Sequence, residues 1–343
     1  MSDKVETIAY VGEKWGGKTP WHGKGVEVTN DLTTDQMMAK AGLDWDVQKV
    51  QSYIKWNGQE IPTEDFQLVR STDGQILSRV SKNWHVNQNK EAFDFFKDFV
   101  LEGDMEMHTA GSLDQGRMVW ALAKIKNKEF TVANKKDIVA PYLLFSNPHE
   151  YGRCIDVRFT AICVVCWNTI SFALNGKEDL FIRLNHTKKF DPDLVKKTLK
   201  IANTKLEEYH TLSSFLAGKK YTPKNVVKYI KEVFPKIKHE RSGEKAETFE
   251  KWKERKIKRE KERGREYDEE LSRPAKVALA ILEEHPHAKI AKNTWWAAFN
   301  AVTFSVDHLL GTDENRLAKA WYGSGRQKKL VALNRAIEYA KAS

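Results

Sequence analysis

The sequence predicts an α+β fold: an N-terminal, mostly antiparallel or mixed sheet with few helices, and a C-terminal helical part packing on it. Three observations lead there. Up to about residue 190, β-branched and aromatic runs alternate with turn signals, and helices do not alternate strictly with strands. From Pro192 onwards, apolar residues recur at helical spacing. The chain has 343 residues, 41% of them hydrophobic, with eleven tryptophans, so a packed core is feasible. The organisation is a sheet-containing part at 1–190 and a helical part at 191–343, as two domains or as one compact unit.

The elements follow in order. Ile8, Ala9, Tyr10 and Val11 form a short strand. Residues 65–89 read as two strands around the hairpin dipeptide Asp73-Gly74, with Leu68 and Arg70, then Ile76, Ser78 and Val80, in two-residue alternation. Residues 90–103 carry Ala92, Phe93, Phe96, Phe99 and Val100 at helical spacing, with Gly103 as the stop. Strands follow at 116–126, twice within 129–149, in the first half of 157–174, and at 179–187. Helices are expected at 193–218, at 222–234 behind a Thr222 cap with Pro223 next, at 274–285, at 293–311 and at 325–342. Residues 240–270 are rich in both charges and too poor in apolar residues for a core face; they read as a solvated helix or a mobile arm.

Gly12 to Thr19, GEKWGGKT, satisfies the pattern of a phosphate-binding loop. Such a loop needs a helix starting at its Lys-Thr, whose amides point at phosphate, and an acidic strand end to hold magnesium. Pro20 and the glycine-rich stretch after it cannot propagate a helix, and no buried strand ends in a suitable acid. Nucleotide hydrolysis is therefore not expected. What remains is a glycine-rich loop in which Lys14, Lys18 and Lys24 could lie against a phosphate backbone.

Charge narrows the partners. The 57 basic against 47 acidic residues give a net charge of +10, which favours polyanions. No apolar run is long enough for a membrane span, and the N-terminus lacks a secretory pattern. Three cysteines make no disulfide framework, so a reducing cytosol is expected. Cys163 and Cys166 form a lone C-x-x-C among apolar residues and read as core cysteines rather than a zinc or redox site.

Several blocks resemble one family. They are Trp21-His22-Gly23 with Gly25, AGLDWDV (41–47), VNQN (86–89), AGSLDQGRMVWALAKI (110–125), YLLFSNPHEYG (142–152), CVVCWNTISFAL (163–174) and WAAFNAVTFSVDH (296–308). In this order they resemble the domain of unknown function known as "phage/plasmid-like protein". The resemblance implies a gene of a bacteriophage, prophage or plasmid and a bacterial cytoplasm. It transfers no activity; strand annealing or recombination would suit such a gene.

The residues offer three candidate constellations. Arg70, Arg79, Arg117, Arg158 and Arg183 recur in strands, joined by Lys82 and Lys124. On one sheet face they would track phosphates, with Trp84, His85 and Trp120 stacking bases. Alternatively each pairs with a carboxylate such as Asp65, Asp94 or Asp156. Asp307, His308 and Asn300 sit in an apolar helix and read as a packing network, or as a metal or acid–base site. Asn168 reads as the N-cap of a helix beginning at Ile170, or as a ligand contact. The leading expectation is a nucleic-acid-binding protein favouring single-stranded DNA, without nucleotide hydrolysis, cofactor or metal. Its contacts would be Arg70, Arg79, Lys82, Trp84, Arg117, Trp120, Lys124 and Arg158. The alternatives are a factor that binds host proteins and an enzyme built on Asp307 and His308. Self-association stays open.

Overall fold

The computed structural model describes residues 5–12, 25–133, 137–163, 168–171, 181–186, 206–236 and 271–343. Its strands are β1 (Val5–Val11), β2 (Val26–Val28), β3 (Val47–Trp56), β4 (Gln59–Arg70), β5 (Ile76–Val80), β6 (Met105–Leu113), β7 (Met118–Ile125), β8 (Phe130–Val132), β9 (Asp137–Pro148), β10 (Ile155–Cys163), β11 (Asn168–Ser171) and β12 (Phe181–Leu184). The helices are α1 (Thr34–Lys40), α2 (Asn89–Leu101), α3 (206–218), α4 (Pro223–Val233), α5 (Arg273–Glu284), α6 (Pro286–Ile290), α7 (Trp295–Phe304), α8 (Asp313–Tyr322) and α9 (Ser324–Lys341). A π-helical turn, Ser305–Leu309, continues α7. The fold is α+β, with the helical part packing on the sheet.

Nine of these strands form one mixed sheet in the order β11-β10-β9-β7-β6-β1-β2, with β12 beside β10 and β8 beside β9. All its pairs are antiparallel except β1 with β2. A separate three-stranded sheet runs β3-β4-β5. Strand alternation sends opposite sets of side chains to the two faces of the large sheet. Ala121, Ala123, Leu143, Phe145 and Val157 face α1 and α2, where Phe93, Phe96 and Met37 are buried. Trp120, Leu122, Tyr142 and Leu144 face the other way, against Trp321 of α8. Towards β8 the sheet meets the helical core of Tyr209, Tyr229, Trp295, Trp296 and Phe299.

The helices begin where local chemistry supplies a cap. The hydroxyls of Thr33, Thr222, Ser272 and Thr294 accept from the amides of Gln36, Asn225, Ala275 and Ala297. Each such cap contributes about 1 kcal/mol. α7 is apolar on all sides and is buried throughout, as such a helix must be. The Trp296 indole donates to Asp137 at 2.7 Å, tying α7 to the start of β9.

Three readings of the sequence change. Asn168 caps no helix: it opens β11, which turns back on β10 with Asn168 opposite Cys163, because Thr169 and Ile170 continue the sheet. In β5 the buried residues are Leu77 and Val80, and Ile76 is 55% exposed; a register shift at Leu68/Val69 breaks the simple alternation. The helix expected at 293–311 is regular only to Phe304, where the π turn Ser305–Leu309 takes over. Most of the phosphate-loop-like segment, Cys166 and the charged stretch at 240–270 lie outside the described residues.

Candidate functional site

The face of the large sheet under α2 is apolar until its end, where it turns polar. Arg117 precedes β7, and its carbonyl accepts the His149 amide at 2.7 Å, extending the β7–β9 ladder by one pair. Period two along β9 puts Asn147 and His149 on the face that carries Leu143 and Phe145. Three consecutive left-handed residues, Asp114, Gln115 and Gly116 (φ 53°, 61° and 85°), make the turn into Arg117. A Cβ at Gly116 would stand 3.3 Å from the Trp45 ring, so the turn packs there only as glycine.

The segment from Lys82 to Asn89 covers this polar end, and long-range bonds hold it down. Lys49 Nζ donates to the carbonyls of Lys82 and Trp84. The Gln88 amide pairs with both backbone groups of Val47, at 2.8 and 3.0 Å. Asn89 Nδ2 donates to the carbonyls of Leu43 and Trp45, leaving its Oδ1 to accept from His149 Nε2 at 2.9 Å. That bond fixes the His149 tautomer with its proton on Nε2.

Beneath the segment lies a buried set of histidines and asparagines. Asn147 Nδ2 donates to the Asn87 carbonyl at 2.9 Å, and Asn87 Nδ2 to His186 Nδ1 at 3.3 Å. Asn87, Asn89, Asn147, His149 and His186 are each no more than 3% exposed. Burial pushes the His149 imidazole down to about 3 and the His186 imidazole down to about 4, so both are neutral at physiological pH. Among the described residues, four buried atoms of this set, His85 Nε2, Asn87 Oδ1, Asn147 Oδ1 and His186 Nε2, make no hydrogen bond. Among the described residues, no three His, Cys, Asp or Glu side chains are grouped to hold a metal.

The rim of the site is aromatic and basic. Trp84 stacks on His186 with ring centroids 4.0 Å apart and lies 6.2 Å from Tyr151, which is 67% exposed. The Tyr151 amide donates to Ser78 Oγ, which brings β5 and its exposed Arg79 to the same edge. Lys82 is exposed. Among the described residues neither Lys82 nor Arg117 pairs with a carboxylate, and Arg117 Nε is buried without an acceptor.

The other residues expected from the sequence are placed differently. Arg70 and Arg79 belong to the small sheet, and Lys124 and Arg158 to the large one, so they share no face. Arg70 is held by Glu6 at 2.7 Å and Asp73 at 2.6 Å, over the Trp45 ring. Arg79 lies 3.6 Å from Asp65 but stays 72% exposed. Lys124 is flanked by Glu106 and Glu129. Arg158 is buried, bonded to Asp156 at 2.6 Å and to the Trp321 carbonyl at 2.9 Å. Trp120 is 1% exposed and meets Trp321 edge-on, so it offers no ring face to a base. Paired and buried cations gain little from a phosphate, because their charge is already compensated.

Asn300, Asp307 and His308 do not assemble as an acid–base set. Asn300 Nδ2 bonds the Trp296 carbonyl of its own helix at 3.0 Å. Asp307 binds the buried Lys329 at 2.7 Å, joining the π turn to α9, and the His308 ring lies against Phe304. These contacts are those of a packing network. A separate cleft of about 530 Å³ lies between β8, α3 and the α6–α7 junction, with Lys220 and Lys292 in its walls.

The polar set draws on VNQN, on SNPHEYG and on His186, with Trp45 and the DQGR turn beside it, residues more than a hundred positions apart in the chain. Sequence reading found the rim residues Arg79, Lys82, Trp84 and Arg117. It missed Asn87, Asn147, His149 and His186, because only strand register brings them together. Comparison with known proteins gives a family model, Domain of unknown function (DUF932), that matches residues 76–336. No curated protein and no solved structure matches the chain.

Proposed function

The chain belongs to the DUF932 family, a domain of unknown function, and from the site it carries we propose that it binds single-stranded nucleic acid without hydrolysing nucleotides. One observation carries the reading. The Trp84–Tyr151 aromatic pair lies two residues from the exposed Lys82 and is tied through Ser78 to β5 and its exposed Arg79, while the Arg117 carbonyl holds the His149 amide two residues before Tyr151; among the described residues neither Lys82 nor Arg117 pairs with a carboxylate. The exposed Tyr151 ring beside the half-buried Trp84 offers a stacking platform to any base, and cations nearby attract the backbone. A net charge of +10 adds long-range attraction. Among the described residues no helix is long and apolar enough to cross a membrane. In this reading the protein serves the DNA metabolism of a phage or plasmid, promoting strand annealing in the cytoplasm of the host.

Fluorescence anisotropy with labelled single-stranded oligonucleotides tests it. Three phosphate contacts on a single strand predict roughly a twenty-fold loss of affinity between about 50 and 200 mM salt. Trp84→Ala should weaken binding by about ten-fold or more, the worth of one stacked base. No binding at the lower salt would sink the proposal. A second reading, a factor that docks on host proteins, is favoured by one observation. The outer half of the β3–β4 hairpin exposes Tyr53, Ile54, Trp56 and Ile61. Capture of a host protein that survives nuclease and disappears in Trp56→Ser/Ile61→Ser would support it.

A further inference from the structure

We propose that the buried histidine–asparagine set beneath Trp84 is a pocket for one nucleobase, and for an amino-bearing base in preference to thymine. The inference deepens the nucleic-acid reading and rests on it where the base comes from a strand. Four buried polar atoms of this set make no bond among the described residues: His85 Nε2, Asn87 Oδ1, Asn147 Oδ1 and His186 Nε2. Buried groups of this kind are nearly always satisfied, so an orphaned group of four points to an occupant.

The surrounding bonds fix what each atom can do. Asn147 Nδ2 is committed to the Asn87 carbonyl, so its free atom is the carbonyl oxygen, an acceptor. Asn87 Nδ2 lies 3.3 Å from His186 Nδ1, so Asn87 Oδ1 is likewise an acceptor; His186 Nδ1 also stands 3.4 Å from the His85 carbonyl, so its Nε2 presents a proton or a lone pair according to the tautomer. The set thus offers two acceptor oxygens and the ring nitrogens of His85 and His186, each of either sense. Among the described residues no carboxylate joins it, and burial keeps His149 and His186 neutral, so the fitting ligand is uncharged and has adjacent donors and acceptors on one edge. A base with an exocyclic amine supplies two donor hydrogens to the two amide oxygens and its neighbouring ring edge to His186 Nε2. Thymine has a single N–H on that edge and would leave one buried oxygen unsatisfied. Trp84 lies flat on His186. Swung towards Tyr151, it uncovers the imidazole and gives the base a stacking surface of the kind unstacked bases use.

The test compares three ligands on the full chain by anisotropy and calorimetry: an intact single strand rich in cytosine and adenine, the same strand with abasic positions, and free nucleosides. The expected result is intact-strand binding tighter than abasic-strand binding by about ten-fold or more, with oligothymidine weaker by a similar factor, the cost of one unmet buried hydrogen bond. His85→Phe keeps the ring and removes its nitrogens; it should collapse that discrimination, and Asn147→Leu should do the same. An unchanged thermal transition establishes that each variant is folded. Binding of nucleosides but of neither strand would keep the pocket and overturn the strand-binding function. Equal affinity for intact and abasic strands, with no nucleoside binding, would overturn the pocket and leave strand binding standing, its buried atoms then met by ordered water. Retained discrimination in both folded variants would also overturn it.

Discussion

Lys329 is 3% exposed and Asp307 8%, and they meet at 2.7 Å where the π turn packs on α9. Burial lowers the Lys329 pKa, opposed by the attraction of Asp307, so each charge offsets part of the other's burial cost. Gly325 sits beside this joint; a Cβ there would come within 2.9 Å of Val306, so no larger residue lets α9 approach so closely. Asp307→Asn strands an ammonium in the core and should cost about 3–5 kcal/mol in urea unfolding. The double change Asp307→Leu/Lys329→Met removes both charges and should recover most of that loss, since a buried ion pair is rarely better than apolar packing. A single variant with an unshifted midpoint would mean that water already reaches the pair. The same pair explains why a polar motif in an apolar helix looked like chemistry in the sequence: the spacing of Asn300, Asp307 and His308 is visible there, but the lysine that claims the carboxylate is 22 residues away.

The elements that could be read from sequence are helices with one buried stripe and strands that are apolar nearly throughout. α2, with Phe93 and Phe96 at 0% exposure, shows its stripe plainly, and so does α4; β7 and β9, buried on both faces, show as near-continuous apolar runs. The β3–β4 hairpin escaped for the opposite reason. Its outer half is exposed on both faces, so Gln51, Tyr53, Lys55 and Gln59, Ile61, Thr63 carry no consistent period. Its Asn57-Gly58 tip, with φ of 48° and 82°, is a turn signal hidden between two polar runs. β6 was missed because it is buried on both faces with small and polar residues such as His108, Thr109, Gly111 and Ser112. The site followed the same rule: its rim of lone cations and Trp84 was legible, its interior was not, because Asn87, Asn147 and His186 lack any local pattern. A hairpin arm that packs on nothing should be energetically idle in the isolated chain. Trp56→Ser/Ile61→Ser is expected to move stability by less than about 0.5 kcal/mol. A loss of several times that size in denaturant titration would show that the arm is packed rather than presented.

Across the whole molecule the buried histidines couple folding to pH. Burial holds His108 and His149 down to about 3 and His186 down to about 4, all below the ordinary value near 6.5. His108 is as enclosed as the other two, with Nδ1 2.7 Å from Thr109 Oγ1 and its ring edge-on to Tyr142. Depressed imidazole values mean that the unfolded chain binds protons that the folded one refuses. Stability is therefore complete above about pH 6.5 and falls as the pH drops towards about 4. Each histidine contributes a slope of about 1.4 kcal/mol per pH unit within that window, so three give about 4. Asp156 works against them: burial raises its pKa despite Arg158 beside it, so the folded chain takes up a proton there before the unfolded one does. One opposing group leaves the net direction unchanged. A chain of ordinary stability, about 5–15 kcal/mol, has little room for a loss of that steepness. Urea midpoints measured from pH 7 to pH 4.5 should fall steadily, and His186→Gln should flatten the fall by about a third. A flat profile would mean that these imidazoles accept protons in the folded state, and with it the neutral, uncharged character of the pocket would be lost.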